Sequence, residues 1–326
     1  MSMHVFKRGL GAATAVLALA TPTWADVPAV ATDIAPVHSL VARVMEGVGT
    51  PDMVMQPGAS PHGYAMRPSE ARALEQADIV FWVGADLTPA LERAIETLAA
   101  DAHIVALLDH AATASLEFRT GVRFDGRAHE EERAHADDGA PDHGDDHDGD
   151  DHGHGHGGVD PHAWLDPENG KAWLDVIAAE LSRADPDNAG MYSANAAAGK
   201  QEVDAATADI AETLATLDGL RYIVFHDAYQ YFEARFDIPA AGAVSLGDAT
   251  DPSPARVAEL RATVADLNVT CAFAEPQFNP GILNAVLPGD SVTITVIDPL
   301  GTDIDPGPDF YPAFLRAVGA SFATCR

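Results

Sequence analysis

The 326-residue chain reads as an α/β protein of two (β/α) lobes with parallel-type sheets, joined by one long linking helix. Three observations predict this class. Short apolar runs alternate with helix-spaced segments in both halves, which is the pattern of βαβ units rather than of a sandwich. Between the halves, residues 187–217 are rich in alanine and contain no proline. A length of 326 residues with 47% hydrophobic side chains supplies one large or two medium cores, which favours two domains.

Taken in order, residues 1–25 (MSMHVFKRGLGAATAVLALATPTWA) place Lys7 and Arg8 before an apolar run at 10–20, with small residues leading to Ala25. That order is a secretory signal peptide cleaved after Ala25. The run is too short for a membrane anchor, which needs about 20 apolar residues. The mature chain is therefore expected to be exported and soluble, with no direct membrane insertion.

The N-terminal lobe is expected over 26–184. Residues 29–34 form a short apolar strand and 37–46 keep helical spacing. Pro68, Ser69 and Glu70 open a helix that runs through Gln76. A buried strand follows at 79–83 (IVFWV), then a helix at 89–99 and a strand at 104–108. The composition changes abruptly from 129 to 157. Within 129–156 lie seven His, eight Asp, three Glu and five Gly, with Arg133 the only base. Such a segment buries too little apolar surface to offset its ordering entropy, so it reads as a disordered insertion. Order resumes at 159–166, and a helix fits 167–182.

The linking segment spans 185–219. Val203, Ile210, Leu214 and Leu217 fall on one face of 187–217, a helix of about 45 Å if continuous. Gly190 and Gly199 weaken it. The C-terminal lobe, 220–326, repeats the alternation. Strands are expected at 222–225, 241–244, 269–274 and 292–297, and helices at 228–236, 254–267, 280–286 and 310–322.

Charge bounds the partners. Nineteen Lys and Arg against fifty Asp and Glu give a net charge of −31. Phosphates repel such a chain, which argues against nucleic acid and anionic membranes and in favour of cations. Fourteen histidines and two cysteines exclude a cysteine-built zinc module and a disulfide-dense scaffold. An oxidising compartment favours pairing Cys271 with Cys325, and two buried thiols are the alternative.

Four residues stand out as candidate metal ligands: His62 in PGASPHGYAMRPS, His162 in VDPHAWLDP, His226 in YIVFHDAYQYF and Asp298 in VTITVIDPLG. His226 and Asp298 directly follow apolar strands, at the carboxyl ends where open α/β sheets bind ligands. His62 and His162 sit in loops. Three imidazoles with a carboxylate or a water complete a zinc tetrahedron. A lone loop histidine is more often a surface or core residue, and a carboxylate at a strand end often caps the next turn. It is the set of four that points to a cation site between the lobes. Asp227, Tyr229 and Glu275 are candidates to fix the tautomers of the ligating rings. Tyr229, Tyr231 and Phe232 read as packing of a helix on the second sheet, and Trp82, Trp164 and Trp173 as core or interlobe packing.

At these same segments the chain resembles a known family. GASPHGYAMRPSE, DPHAWLDPENG, FHDAYQYFE, CAFAEPQFNP and IDPLGTDI are similar to the periplasmic zinc-binding proteins of bacterial zinc-uptake ABC transporters, the ZnuA type. The resemblance runs from about residue 27 to 325. It implies two lobes with Zn²⁺ between them on the histidines matching His62, His162 and His226, and a disulfide at the positions of Cys271 and Cys325. Manganese-binding relatives place an aspartate at the position of Asp298 and a glutamate at that of His226. The histidine retained here favours zinc, on ligand softness as well. Pro61 stands where some zinc relatives carry a ligating glutamate, so the fourth ligand is Asp298 or a water.

The resemblance thus implies a monomeric periplasmic solute-binding protein, not an enzyme, that hands Zn²⁺ to a membrane permease. His129, His135, His143, His147, His152, His154 and His156 would form an auxiliary zinc-binding segment. The alternative is a secreted zinc hydrolase with a three-histidine site and an open fourth position. Neither HExxH nor GxSxG is present to support it.

Overall fold

A computed structural model describes residues 27–119, 124, 158–217, 219–245, 253–278, 281–287 and 292–325. The expected signal peptide and the His/Asp-rich segment with its seven histidines lie outside the described residues.

The described chain runs β1 (Val30–Thr32), α1 (Ala35–Val44), β2 (Asp52–Met53), α2 (Pro68–Glu75), β3 (Ile79–Trp82), α3 (Pro89–Leu98), β4 (His103–Ala106), α4 (Pro167–Ala184) and α5 (Ala189–Leu214). It continues with β5 (Tyr222–His226), α6 (Gln230–Phe236), β6 (Gly242–Ser245), α7 (Pro254–Asp266), β7 (Cys271–Ala274), α8 (Gly281–Val286), β8 (Thr293–Val296) and α9 (Phe310–Ala323). The two-lobe α/β class holds. Each lobe carries a four-stranded, wholly parallel sheet, ordered β2-β1-β3-β4 in the first and β6-β5-β7-β8 in the second. The identical order puts β1 and β5 at the equivalent switch point of each lobe, and their carboxyl ends form the ligand-side crevice.

Parallel strands covered by helices read as unbroken apolar runs. All four residues of β3 (IVFW) and of β7 (CAFA) are accordingly buried. β2 was not foreseen: two residues on a sheet edge leave no periodic trace. Helix starts are marked by proline in the first turn of α1, α2, α3, α4 and α7, where the missing N–H costs nothing.

The linking helix α5 has 26 residues, about 39 Å, and passes unbroken through Gly190 and Gly199. Its buried stripe (Tyr192, Ala196, Gly199, Val203, Ala206, Ile210, Leu214) faces α1, α4 and α9. Gly199 is there for space. A Cβ would sit 3.0 Å from Arg43 Cγ and 3.1 Å from Leu174 Cδ1, so the helices approach where a side chain would hold them apart. The C-terminal helix α9 also packs on α1 of the first lobe. One hydrophobic core therefore runs continuously from Val30 to Phe322 through both lobes, with a smaller cluster around Ile223, Phe225 and Leu260 in the second lobe.

Cys271 on β7 and Cys325 beyond α9 form a disulfide, their Cα atoms 5.6 Å apart. It fastens the chain end beside Phe322, whose ring meets Phe232, Phe273 and Tyr222. None of the described helices is long and apolar enough to cross a membrane.

Candidate metal centre

His62 lies on the loop between β2 and α2. Tyr64 and Glu70 shape that loop: the Tyr64 hydroxyl reaches Val54 O (3.0 Å) and donates to Glu70, whose carboxylate also accepts from the Arg67 amide. His162 precedes α4 in a short helical turn that Asp166 terminates, its carboxylate accepting from the Glu168 amide at 2.9 Å. His226 is the last residue of β5, at the switch point of the second sheet.

The fold brings these three together. Each offers one ring nitrogen, and the three nitrogens lie within 4.8 Å of one another. Ring centroids stand 5.5 Å apart for His62–His162, 5.4 Å for His62–His226 and 4.8 Å for His162–His226. Zn–N bonds of about 2.05 Å in a tetrahedron ask for nitrogens about 3.3 Å apart, so a modest inward turn of the rings suffices. His162 and His226 are buried, and His62 is half-buried at the mouth. The surrounding cleft of about 270 Å³ is walled by Trp164, Phe278, Pro299 and Leu300, with Ser60, Glu275 and Gln277 as its polar members besides the histidines. It lies at the lobe boundary, where Trp164 Nε1 donates to Pro299 O of the second lobe at 2.9 Å.

Asp160 orients His162. Its Oδ1 accepts from the His162 amide (3.0 Å) and faces His162 Nδ1 at 2.7 Å. With Nδ1 carrying the proton to that carboxylate, Nε2 is the lone pair offered to a cation. Burial pushes the Asp160 carboxyl up to about 7, against the pull of the His162 amide and of Arg119. The sequence signal for this residue is the D-P-H tripeptide, which sets a carboxylate two positions before His162.

Asp298 is held by hydrogen bonds of its own. It neither joins the three-histidine group nor lines the cleft. Its Oδ1 accepts from Gln277 Nε2 (3.0 Å) and Leu300 N (3.0 Å), and its Oδ2 from Thr302 N (2.6 Å). The carboxylate is committed to the turn after β8, as strand-end carboxylates often are. Glu275 stands closer to the site, with Oε2 3.7 Å from His226 Nδ1 and Oε1 buried without a hydrogen bond. Burial and the Glu275 carboxylate both hold the Tyr229 hydroxyl protonated. Asp227, expected to steady a ligand ring, instead pairs with Arg119. Tyr231 does more than pack: its hydroxyl donates to Asp160 O at 2.7 Å and accepts from Leu116 N at 2.9 Å.

The sequence profile of the family described as "Zinc-uptake complex component A periplasmic" matches residues 30–325. The chain belongs to that family. The high-affinity zinc uptake system protein ZnuA of Paracoccus denitrificans is 43% identical over 314 residues, 96% of each chain. The ZnuA of Yersinia pestis is 31% identical over 311 residues, covering 95% of this chain and 94% of its own. In fold, a crystal structure of ZnuA superposes with a TM-score of 0.71 at 21% identity, over 92% of this chain and 99% of the other. The Mn²⁺ complex of the solute-binding protein FpvC of Pseudomonas aeruginosa gives 0.73 at 18% identity, over 92% and 98%. The family expected from the motifs is thus the family found, and its members are solute-binding components of a zinc-uptake transport system.

Proposed function

We propose that this protein captures Zn²⁺ in the periplasm on His62, His162 and His226 and delivers it, as a monomer, to the permease of a zinc ABC transporter. The convergence of three imidazoles from both lobes, two of them buried, carries this reading. Neutral nitrogen donors prefer Zn²⁺ to the harder Mn²⁺, and an aspartate-bonded ring holds its lone pair ready. Asp298 already accepts three hydrogen bonds within its own surroundings, which favours water over its carboxylate as the fourth ligand. The ion is cargo: Zn²⁺ has no redox step by which to leave, so release needs the ligands to move.

A hydrolase with the same three ligands has little support. The cleft at the three histidines is narrow and walled largely by Trp164, Phe278, Pro299 and Leu300, with little room for an organic substrate.

Metal analysis with calorimetry on the full mature chain and on His226→Ala tests the assignment. The variant should lose one tight zinc equivalent, with affinity falling by more than about a hundredfold. Retention of the tight equivalent would remove His226 from the site.

A further inference from the structure

Arg119 is the last described residue before the His-rich segment apart from Phe124, and it joins the two lobes. Its Nε lies 3.1 Å from both Asp227 oxygens, its Nη2 also bonds Asp227 Oδ1, and its Nη1 meets Glu233 Oε2 at 2.6 Å. Asp227 and Glu233 are 2% and 3% exposed, and the guanidinium is 17% exposed. The Phe124 ring covers the guanidinium at 3.8 Å, while the Phe124 amide donates to Ala241 O of the second lobe at 3.2 Å.

The other end of this link is fixed in the first lobe. Residues 116–118 run antiparallel to 158–160: Asp160 N donates to Leu116 O at 2.8 Å, Phe118 N to Gly158 O at 3.1 Å, and Glu117 bridges Val159. His162 follows two residues later, on the Asp160 carboxylate. A short rigid path thus leads from His162 through Asp160 and the 116–118 bridge to Arg119. It then crosses to Asp227, the residue next to His226.

We infer that Arg119 is a positioning residue for the zinc site: a strut between the lobes that sets the separation of His162 from His226. This rests on the reading that those histidines hold Zn²⁺. A bidentate guanidinium suits the task because its planar fork fixes orientation as well as distance, which an ammonium does not. The strut touches no ligand atom and acts only through the backbone of Asp227 and the bridge to Asp160.

A second interlobe ion pair supplies the control. Arg235 holds Asp166 with two bonds of 2.8 Å, and it too joins a second-lobe helix to the first lobe. Full-length Arg119→Met, Arg119→Lys and Arg235→Met should be compared with wild type and His226→Ala. The measurements are thermal unfolding, chelator competition with Zn²⁺, and the visible absorption of the Co²⁺-loaded protein. Arg119→Met should weaken Zn²⁺ about tenfold or more and alter the Co²⁺ ligand-field bands. Arg119→Lys should fall between it and wild type. Arg235→Met should lower the unfolding temperature and leave affinity and bands within about twofold of wild type.

Wild-type affinity and bands in Arg119→Met, with only the unfolding temperature reduced, would overturn the strut. Should Arg119→Met fail to fold, the lysine variant decides in the same way, since unchanged affinity and bands there also overturn it. If His226→Ala keeps the tight zinc equivalent, the three-histidine reading itself falls, whatever Arg119 does.

Discussion

Asp160 Oδ1 lies 2.7 Å from His162 Nδ1, and both side chains are almost wholly withdrawn from solvent, at 1% and 2% exposure. A single carboxylate thereby decides which ring nitrogen faces the cleft. Asp160→Ala should weaken Zn²⁺ binding by about 10- to 100-fold, as loss of a hydrogen-bond partner behind a ligand typically does. Asp160→Asn, which still accepts from Nδ1, should lose less. Chelator competition measures both, and equal affinities in all three proteins would mean that His162 needs no such support.

Removal of residues 129–156 should lower the total Zn²⁺ bound while sparing the tightest equivalent. Ordering a chain around each ion costs free energy, so auxiliary sites of this kind are expected to be individually weak. Calorimetry of the shortened protein separates the two classes. Disappearance of the tight class would assign the principal site to the deleted segment.

Asp33 ends β1 and is 1% exposed, with Oδ2 accepting from the Val83 amide at 2.7 Å. Burial outweighs that bond and pushes its carboxyl from 3.8 up to about 7. The folded protein therefore holds this proton more tightly than the unfolded chain. The resulting stability is complete below about pH 4 and is lost as pH rises to about 7, at roughly 1.4 kcal/mol per pH unit through that window. Asp33→Asn cannot titrate, so urea unfolding should show the variant gaining on wild type across that interval and running level above it. A constant difference from pH 4 to 7 would return Asp33 to an ordinary carboxyl.

Opening the Cys271–Cys325 bridge, with a separation of 54 residues, should cost about 4 kcal/mol by the chain-entropy estimate. The check is guanidinium unfolding of the Cys271→Ser/Cys325→Ser variant under conditions matched to wild type. A change below about 1 kcal/mol would mean that the packing of Phe322 alone secures the chain end.

Much of this architecture was legible because buried parallel strands write themselves as apolar runs and prolines mark the first turns of helices. IVFWV and YIVFH announce β3 and β5 directly. β2 stayed hidden because a two-residue edge pairing has neither length nor periodicity. Helix α9, assigned to the second lobe on order alone, packs on α1 as well, a long-range contact that no local pattern encodes. The three histidines could be named because they occupy strand ends and Pro/Gly loops within specific motifs. Asp298 could not be resolved in the same way, since its role depends on whether Gln277, Leu300 and Thr302 come to it. Arg119 left no signal at all: its partners Asp227 and Glu233 lie more than a hundred positions away.

The packing of α9 against α1 makes the two lobes depend on each other for cover. Helix α1 of the first lobe is covered in part by α9, an element far removed from it in sequence, so the interior of the first lobe is closed by a helix of the second half. The same contact makes deletion unforgiving: loss of α9 would strip cover from a helix that lies far from it in sequence and in the other lobe.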